Sequence, residues 1–300
     1  MGRLDWIKTP QDLVTTKDAT RYGFFLQATE KSKRAEPYIK RAIELFDYIT
    51  NQQDPKQVFK KDDYKEDLLS AAGLSTKSIN HLSDDDKQKL IESVLGTIQE
   101  PDVKAYALQI VSRYLLTKGD SLGGSMRNIV GSQAGSKVIK YLTEELNSRR
   151  IKYEIVKNSN GKISKIYWQN RLILFDFNLD IVKKNIDFIM IDSSDGNFDI
   201  NSRVFIEHPR LVIACGEIKG GIDPAGADEH WKTANSALGR IRDKFATLNH
   251  RPKLFFIGAA IESAMAVEIF NQIKNREIDC AANLTNDVQV KEITKWLVSL

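Results

Sequence analysis

An acid and a lysine flank one apolar residue at the end of an apolar run. The stretch "RLVIACGEIKG" (210–220) contains Glu217, Ile218 and Lys219. Side chains two apart on a β-strand point to the same face, so Glu217 and Lys219 share a face and Ile218 points the opposite way. E-x-K is a common tripeptide, and on a strand it is usually a solvated pair of charges.

A second acid lies in another apolar run, "NIDFIMID" (185–192). Asp187 and Asp192 are five residues apart in it, so they point to opposite faces of this strand. A carboxylate beside an apolar run is costly to bury unless it is paired or binds a metal. If the two strands are neighbours, Asp187 and Glu217 converge on one cation.

Two carboxylates and a lysine in this arrangement suit hydrolysis of a phosphodiester. Mg²⁺ takes oxygen ligands and is commonly held by one or two carboxylates together with substrate phosphate and water. The carbonyl of Ile218 is a further candidate ligand. Lys219 would orient or help deprotonate the attacking water and screen the charge of the transition state. This is the logic of D…(D/E)-x-K nucleases, and the solvated charge pair remains the alternative at this point.

The segment after Lys219 carries two further polar candidates. Asp223-Pro224 is typical of a helix start, with Asp223 as N-cap and Pro224 at the first helical position. An Asp can alternatively accept a hydrogen bond from cytosine N4 in a DNA major groove. A histidine can act as a base near neutral pH, so His230 is a candidate base, although a single histidine on a helix is more often a surface or capping residue.

The elements that must position these residues divide the chain into two parts. Residues 1–118 show helical spacing of apolar residues and no strand alternation, whereas β-rich runs appear after residue 150 and then alternate with helices. This order predicts a helical domain at 1–118 and an α/β catalytic domain at 119–300. The small and polar segment 119–135 is predicted to be a glycine-rich loop that leads into a helix.

Three local patterns after residue 150 predict further elements. "QN" (169–170) separates two β-rich runs and is predicted to be a hairpin turn, and the turn residues of 193–209 predict a loop. The segment 230–245 is predicted to be a helix whose apolar residues are spaced by three and four: Trp231, Ala234, Leu238, Ile241 and Phe245.

Composition excludes several classes of protein. Of the 300 residues 42% are hydrophobic and 28% charged, which predicts a packed core, and the net charge of +4 is compatible with a polyanionic partner. The two cysteines form no C-x-x-C pair, so zinc and redox motifs are unsupported. No apolar stretch approaches about 20 residues and no signal-peptide core is present, so we expect a cytoplasmic protein without a membrane partner.

Long stretches of the sequence resemble the AvaI/BsoBI family of type II restriction endonucleases. The similarity is carried by "TEKSKRAEPYIKRA", "GLSTKSINHLSDDDK", "RYLLTKGDSLGGSMRNIVG", "VKKNIDF", "GEIKGGIDPAGADEHWKTANSALGRIR" and "FIGAAIESAMAVEIF". These stretches extend in order over almost the whole chain, and the one at 216–242 is long and unusual. The resemblance is therefore highly specific.

The resemblance implies a homodimer that cleaves double-stranded DNA with Mg²⁺. It implies a helical DNA-recognition domain followed by a PD-(D/E)xK core, a mixed central sheet flanked by helices, in the α/β (α+β) class. The family recognises a palindromic site of the C-Y-C-G-R-G type, and cleavage is expected to leave 5′-phosphate ends. In a prokaryotic host, a cognate DNA methyltransferase would protect the same site.

The resemblance also assigns roles to individual residues. Asp187 is implied as the first metal carboxylate, Glu217 as the second and Lys219 as the catalytic lysine. His230 resembles an additional catalytic residue that touches the nucleophilic water. The implied DNA contacts are Lys77, Asp223, Arg127 and Asn128. No proline precedes Asp187, so Asp192 remains a rival for the first carboxylate.

Two other functions remain open from the sequence. One is a related nuclease of the same fold with a nicking or repair role. The other is a sequence-specific DNA-binding protein that has lost cleavage activity. The intact D…E-x-K set argues against this second function.

Overall fold

The computed structural model of this protein describes residues 5–193 and 204–300, apart from the side chains of Arg127, Asn128 and Val204. Contacts divide the chain into two units. One contains Phe25–Asn128, and the other contains Ile129–Leu300 together with the described residues up to Phe24. The predicted boundary at 118/119 lies inside a continuous helix, and the recognition and catalytic roles given to the two parts stay predictions.

The first unit is helical, as its apolar spacing predicts. Its helices are α1 (Lys17–Thr50), α2 (Lys65–Ala71), α3 (Thr76–Ile79), α4 (Asp84–Val94) and α5 (Val103–Ser148), with 3-10 turns at Pro55–Lys60 and Asp62–Tyr64. Both α1 and α5 also extend into the second unit. Helix α4 begins where Ser83 accepts a hydrogen bond from the Asp86 N–H, and three aspartates occupy its first turn.

The predicted glycine-rich loop at 119–135 is wrong, because α5 continues through it without a break. Both ends of this helix are held by packing. Its first half contributes Ile110 and Tyr114 to the core of the helical unit. Its second half places Ala134, Val138, Leu142 and Leu146 on one stripe against the sheet. Helix formation is cooperative once nucleated, so two anchored ends carry the helix across a segment of low intrinsic propensity.

In the described part of the second unit, seven strands form one mixed sheet in sequence order. They are β1 (Glu154–Lys157), β2 (Ile163–Trp168), β3 (Arg171–Leu179), β4 (Lys184–Asp192), β5 (Val212–Lys219), β6 (Lys253–Gly258) and β7 (Cys280–Asn283). Strands β1 to β5 pair antiparallel with their neighbours, whereas β5, β6 and β7 are parallel. The predicted turn at Gln169 and Asn170 joins β2 to β3.

Helices cover both faces of the sheet. Helices α7 (Pro224–Thr247) and α8 (Ser263–Lys274) connect the parallel strands and pack on one face. The end of α5 and the last helix, α9 (Asp287–Val298), pack on the other. A short helix α6 (Val204–Glu207) and 3-10 turns at Pro10–Leu13 and Pro209–Leu211 complete the described elements. The predicted fold class, a mixed sheet between helices with a helical part before it, is confirmed.

The segment 193–209, predicted as a loop, lies mostly outside the described residues, and α6 occupies its end. No helix in the described ranges combines the length and apolar character needed to cross a membrane.

Candidate active site

The antiparallel pairing of β4 and β5 stops where the candidate carboxylates begin. Phe188 pairs with Gly216, and one further step in this register would set Asp187 opposite Glu217. In place of that step, Oδ2 of Asp187 accepts a hydrogen bond of 2.8 Å from the Ile218 N–H. The carboxylate thus occupies the position of a ladder carbonyl and satisfies a backbone donor that the separating strands leave free.

The same carboxylate meets Lys219, and Lys219 meets Glu217. The ammonium nitrogen lies 2.9 Å from Asp187 Oδ2 and 2.6 Å from Glu217 Oε2. Side-chain exposure is 28% for Asp187, 21% for Lys219 and 4% for Glu217. The structure therefore brings together the three residues that the sequence pattern singled out, and it buries them partly to almost fully.

Burial and neighbouring charge shape the protonation of this cluster. Burial first, and then the negative charge of Asp187, raise the pKa of Glu217 to about 7. Burial of Lys219 favours its neutral form, but the attraction of Glu217 and Asp187 outweighs that effect and raises the pKa of the ammonium group. Lys219 is accordingly a cation in the site near neutral pH.

The site offers oxygen atoms that suit a hard cation. Oε1 of Glu217 is buried and has no hydrogen-bond partner among the described residues, an arrangement that is costly without a ligand. Groups of three or more His, Cys, Asp or Glu that could hold a metal are absent from the described residues. Two carboxylates therefore fit Mg²⁺, which keeps several water or phosphate ligands, better than a metal enclosed by protein.

The backbone N–H and carbonyl of Ile218 face the separating end of β4. Successive residues in a strand point their N–H and carbonyl groups to alternate sides. The Lys219 carbonyl accepts from the Ala259 N–H, just beyond β6, at 2.8 Å. The Ile218 carbonyl, like its N–H, consequently faces the β4 side, where Asp187 lies.

The rival carboxylate, Asp192, lies at the other end of β4. Five residues of strand correspond to about 16 Å, so Asp192 is far from the position of Asp187. Its Oδ1 accepts from the Asn170 side chain at 3.3 Å, and its Oδ2 lies 3.8 Å from Arg171 Nη1. The structure brings Asp187, and not Asp192, to Glu217 and Lys219.

Helix α7 follows β5 after a short loop and presents the next two candidates. Asp223 is its N-cap, with Oδ1 accepting from the Ala225 N–H at 3.0 Å, and Pro224 is its first residue. The predicted apolar stripe of α7 is buried against the sheet. His230 is exposed, and its imidazole lies close to Gly221, two residues after Lys219.

The remaining predicted DNA contacts are distributed over both units. Lys77 is exposed on α3 in the helical unit, and Asp223 is exposed at the start of α7. The backbone of Arg127 and Asn128 belongs to α5, but their side chains lie outside the described residues. Lys77, Arg127 and Asn128 thus belong to the helical unit, and Asp223 belongs to the other unit.

One acid beside the site was missed from the sequence. Asp176 interrupts β3, has a left-handed φ of 51°, and lies opposite Asp187 because the flanking pairs are Phe175 with Phe188 and Phe177 with Ile186. Burial first, and then the charge of Asp187, raise the pKa of Asp176. An acid between two phenylalanines in "LFDFN" was the available signal.

Comparison with known proteins matches nearly the whole chain. The family model described as restriction endonuclease BsobI matches residues 4–166 and 160–300. The type II restriction enzyme AvaI of Nostoc sp. is 37% identical over 312 residues, covering 98% of both chains. The type II restriction enzyme BsoBI of Geobacillus stearothermophilus is 36% identical over 315 residues, covering 98% of this chain and 97% of the relative.

Proposed function

Because this chain belongs to the family of the BsobI restriction endonuclease, we propose that it cuts double-stranded DNA at a palindromic site by Mg²⁺-dependent hydrolysis. The observation that carries this proposal is the cluster of Asp187, Glu217 and Lys219 at the separating ends of β4 and β5. The DNA recognition site is of the C-Y-C-G-R-G type, and the cleaved ends carry 5′-phosphates.

Asp187, Glu217 and the Ile218 carbonyl would hold the metal. The orphaned Oε1 of Glu217 supports this assignment, because a bound cation supplies the partner that this buried oxygen lacks. When bound, Mg²⁺ supplies Lewis-acid chemistry, lowering the pKa of water and neutralising charge on the phosphate.

Lys219 and His230 have different tasks in this mechanism. The carboxylates keep Lys219 protonated, so its role is to orient the attacking water and to stabilise the negative charge of the phosphorane. A protonated lysine cannot accept the proton of that water. His230, on the helix that follows β5, is the residue that accepts this proton.

DNA recognition involves both units and two copies of the chain. A homodimer suits a palindrome because each subunit reads one half of the site. The exposed Lys77 and Asp223 are the proposed base-reading residues, with Arg127 and Asn128 as further DNA contacts. The protein would act in the prokaryotic cytoplasm beside a methyltransferase that protects the same site.

Plasmid digestion tests this function. Wild-type protein should give discrete fragments with Mg²⁺ and none with EDTA, and Lys219→Ala should slow cleavage on the order of 10²–10³-fold. Lys232→Ala is the matched control, since Lys232 is an exposed lysine of α7 paired with Asp228. Fragments that persist in EDTA, or an undiminished Lys219→Ala variant, would sink the mechanism.

Mapping the cut ends decides between this function and the related ones. Double-strand cuts at one repeated palindrome support restriction, whereas single-strand nicks or cuts at damage point to another nuclease of the same fold. Sequence-specific gel shifts without cleavage in Mg²⁺ or Mn²⁺ would show a binding protein.

A further inference from the structure

The imidazole of His230 rests against the backbone of Gly221. A methyl group placed on Gly221 would lie 2.6 Å from Nε2 and 3.0 Å from Cδ2 of His230, closer than packed atoms tolerate. Gly73 and Gly161 are the glycines with positive φ among the described residues, so Gly221 adopts no left-handed conformation. Its lack of a side chain is required by the ring that occupies the space, and not by its backbone.

The helix itself directs the ring toward this position. Side chains on an α-helix lean toward its N-terminus, so His230 extends back over the first turn of α7. Gly226, one turn earlier, lies under the same ring, but a methyl group there would be 3.6 Å from Nε2, an ordinary contact. The two glycines thus differ in what a side chain would do to the same imidazole.

The loop cannot easily shift to relieve a side chain at Gly221. On one side of it, a methyl group on Gly220 would lie 2.5 Å from the Val130 carbonyl oxygen of α5. On the other, Ile222 packs so closely on α1 that a methyl group on Gly23 would lie 2.5 Å from its Cγ1. Because these contacts hold Gly220 and Ile222 in place, a larger residue at position 221 must displace the imidazole of His230.

We infer that Gly221 is a positioning residue for His230. Because Gly221 has no side chain, the imidazole of His230 can occupy the space next to its backbone, beside the end of β5. The consequence for cleavage rests on the proposed function, in which His230 manages a proton. In Gly221→Ala, an ordinary contact distance between the new methyl group and the imidazole requires the ring to move by about 1 Å. A misplacement of that size can cost up to about 10²-fold in rate.

The test compares Gly221→Ala with Gly226→Ala in the full-length protein. The ring signals of His230, assigned by their loss in His230→Gln, are measured by NMR without metal. Gly221→Ala should move these signals and slow single-turnover cleavage of a plasmid-derived duplex by about 10-fold to 10²-fold, with DNA affinity unchanged. Gly226→Ala should neither move the ring signals nor slow cleavage. Unmoved ring signals in Gly221→Ala would overturn the inference.

The double variant Gly221→Ala with His230→Ala separates the inference from the proposed function. If Gly221 acts through His230, the double variant cleaves as fast as His230→Ala alone, and full additivity overturns the inference. If His230→Ala cleaves like wild type, the catalytic role of His230 fails, while the ring signals still decide the positioning. Should Gly221→Ala fail to fold, removal of the imidazole must restore folding, and failure to do so also overturns the inference.

Discussion

At the scale of single residues, Glu217 has two oxygens in different surroundings. Oε2 accepts a hydrogen bond of 2.6 Å from Lys219, whereas Oε1 is buried without a partner among the described residues. The charged form of this carboxylate is thus only half compensated by the described residues. Its raised pKa of about 7 follows from that burial and from the nearby Asp187. A cation in the site would favour the charged form of Glu217 and so lower this pKa.

The pH dependence of stability should report this burial. The folded pKa of Glu217 lies near 7, above its ordinary value of 4.5, so folding takes up a proton between these values. The contribution of protonated Glu217 is complete below pH 4.5 and is lost as pH rises toward 7. We expect the melting temperature of the wild type in EDTA to fall across this window relative to Glu217→Gln. Parallel curves for the two proteins would contradict the shift.

Metal-induced stabilisation should distinguish the two rival acids. A ligand that binds the folded state raises its stability, so saturating Mg²⁺ should raise the melting temperature of the wild type. Asp187→Asn should abolish this increase and cleavage together, because Asp187 faces Glu217 and Lys219. Asp192→Asn should retain both, since Asp192 lies beside Arg171. The opposite pattern would make Asp192 the metal ligand.

At the scale of elements, α5 is a helix formed against its local composition. Five of its residues are glycines (Gly119, Gly123, Gly124, Gly131 and Gly135), and beyond the adjacent residues and helix backbone a methyl group on any of them would meet no described atom within 4 Å. No packing contact in the described structure therefore requires glycine at these positions. Each glycine costs up to about 1 kcal/mol relative to alanine in a helix interior.

Substitution in this segment should stabilise the protein. Gly131→Ala in the exposed helix should raise the free energy of unfolding by about 0.5–1 kcal/mol, seen as a higher denaturation midpoint. Gly73→Ala is the matched control and should destabilise, because Gly73 has a φ of +97° that disfavours any side chain. A loss of stability in Gly131→Ala would show that the segment is not helical in solution.

At the scale of the whole molecule, each chain contributes one cluster of Asp187, Glu217 and Lys219. Under the proposed function one such cluster would hydrolyse one strand at a time, so cutting both strands of a palindrome in one encounter would require two chains. The number of intact clusters in an assembly should accordingly set the number of strands cut.

Mixed dimers test this requirement. Wild-type and Lys219→Ala chains with different tags can be co-expressed and purified by both tags in succession. Such dimers should nick supercoiled plasmid at the site without linearising it, whereas wild-type dimers linearise it. Linearisation by mixed dimers at the wild-type rate would argue against a dimer with one catalytic site per strand.

The sequence by itself determined the features that depend on nearby residues. Strand alternation placed Glu217 and Lys219 on one face, Asp-Pro marked the start of α7, and the apolar stripe of α7 gave its buried side. These predictions needed only periodicity and capping chemistry, and the long resemblance added the family. The short strands β1 and β7 were missed, because four residues are too few to show a reliable period.

Tertiary structure decided what depends on partners distant in the chain. The end of the β4–β5 pairing brought Asp187 rather than Asp192 to Glu217, and the seat of His230 on Gly221 depends on the path of the loop between β5 and α7. Packing at both ends made α5 continuous through a segment that its glycines predicted to be a loop. A glycine in a helix interior costs at most about 1 kcal/mol relative to alanine, whereas a buried apolar side chain contributes about 1.5–3 kcal/mol. Packing therefore prevails where the two disagree.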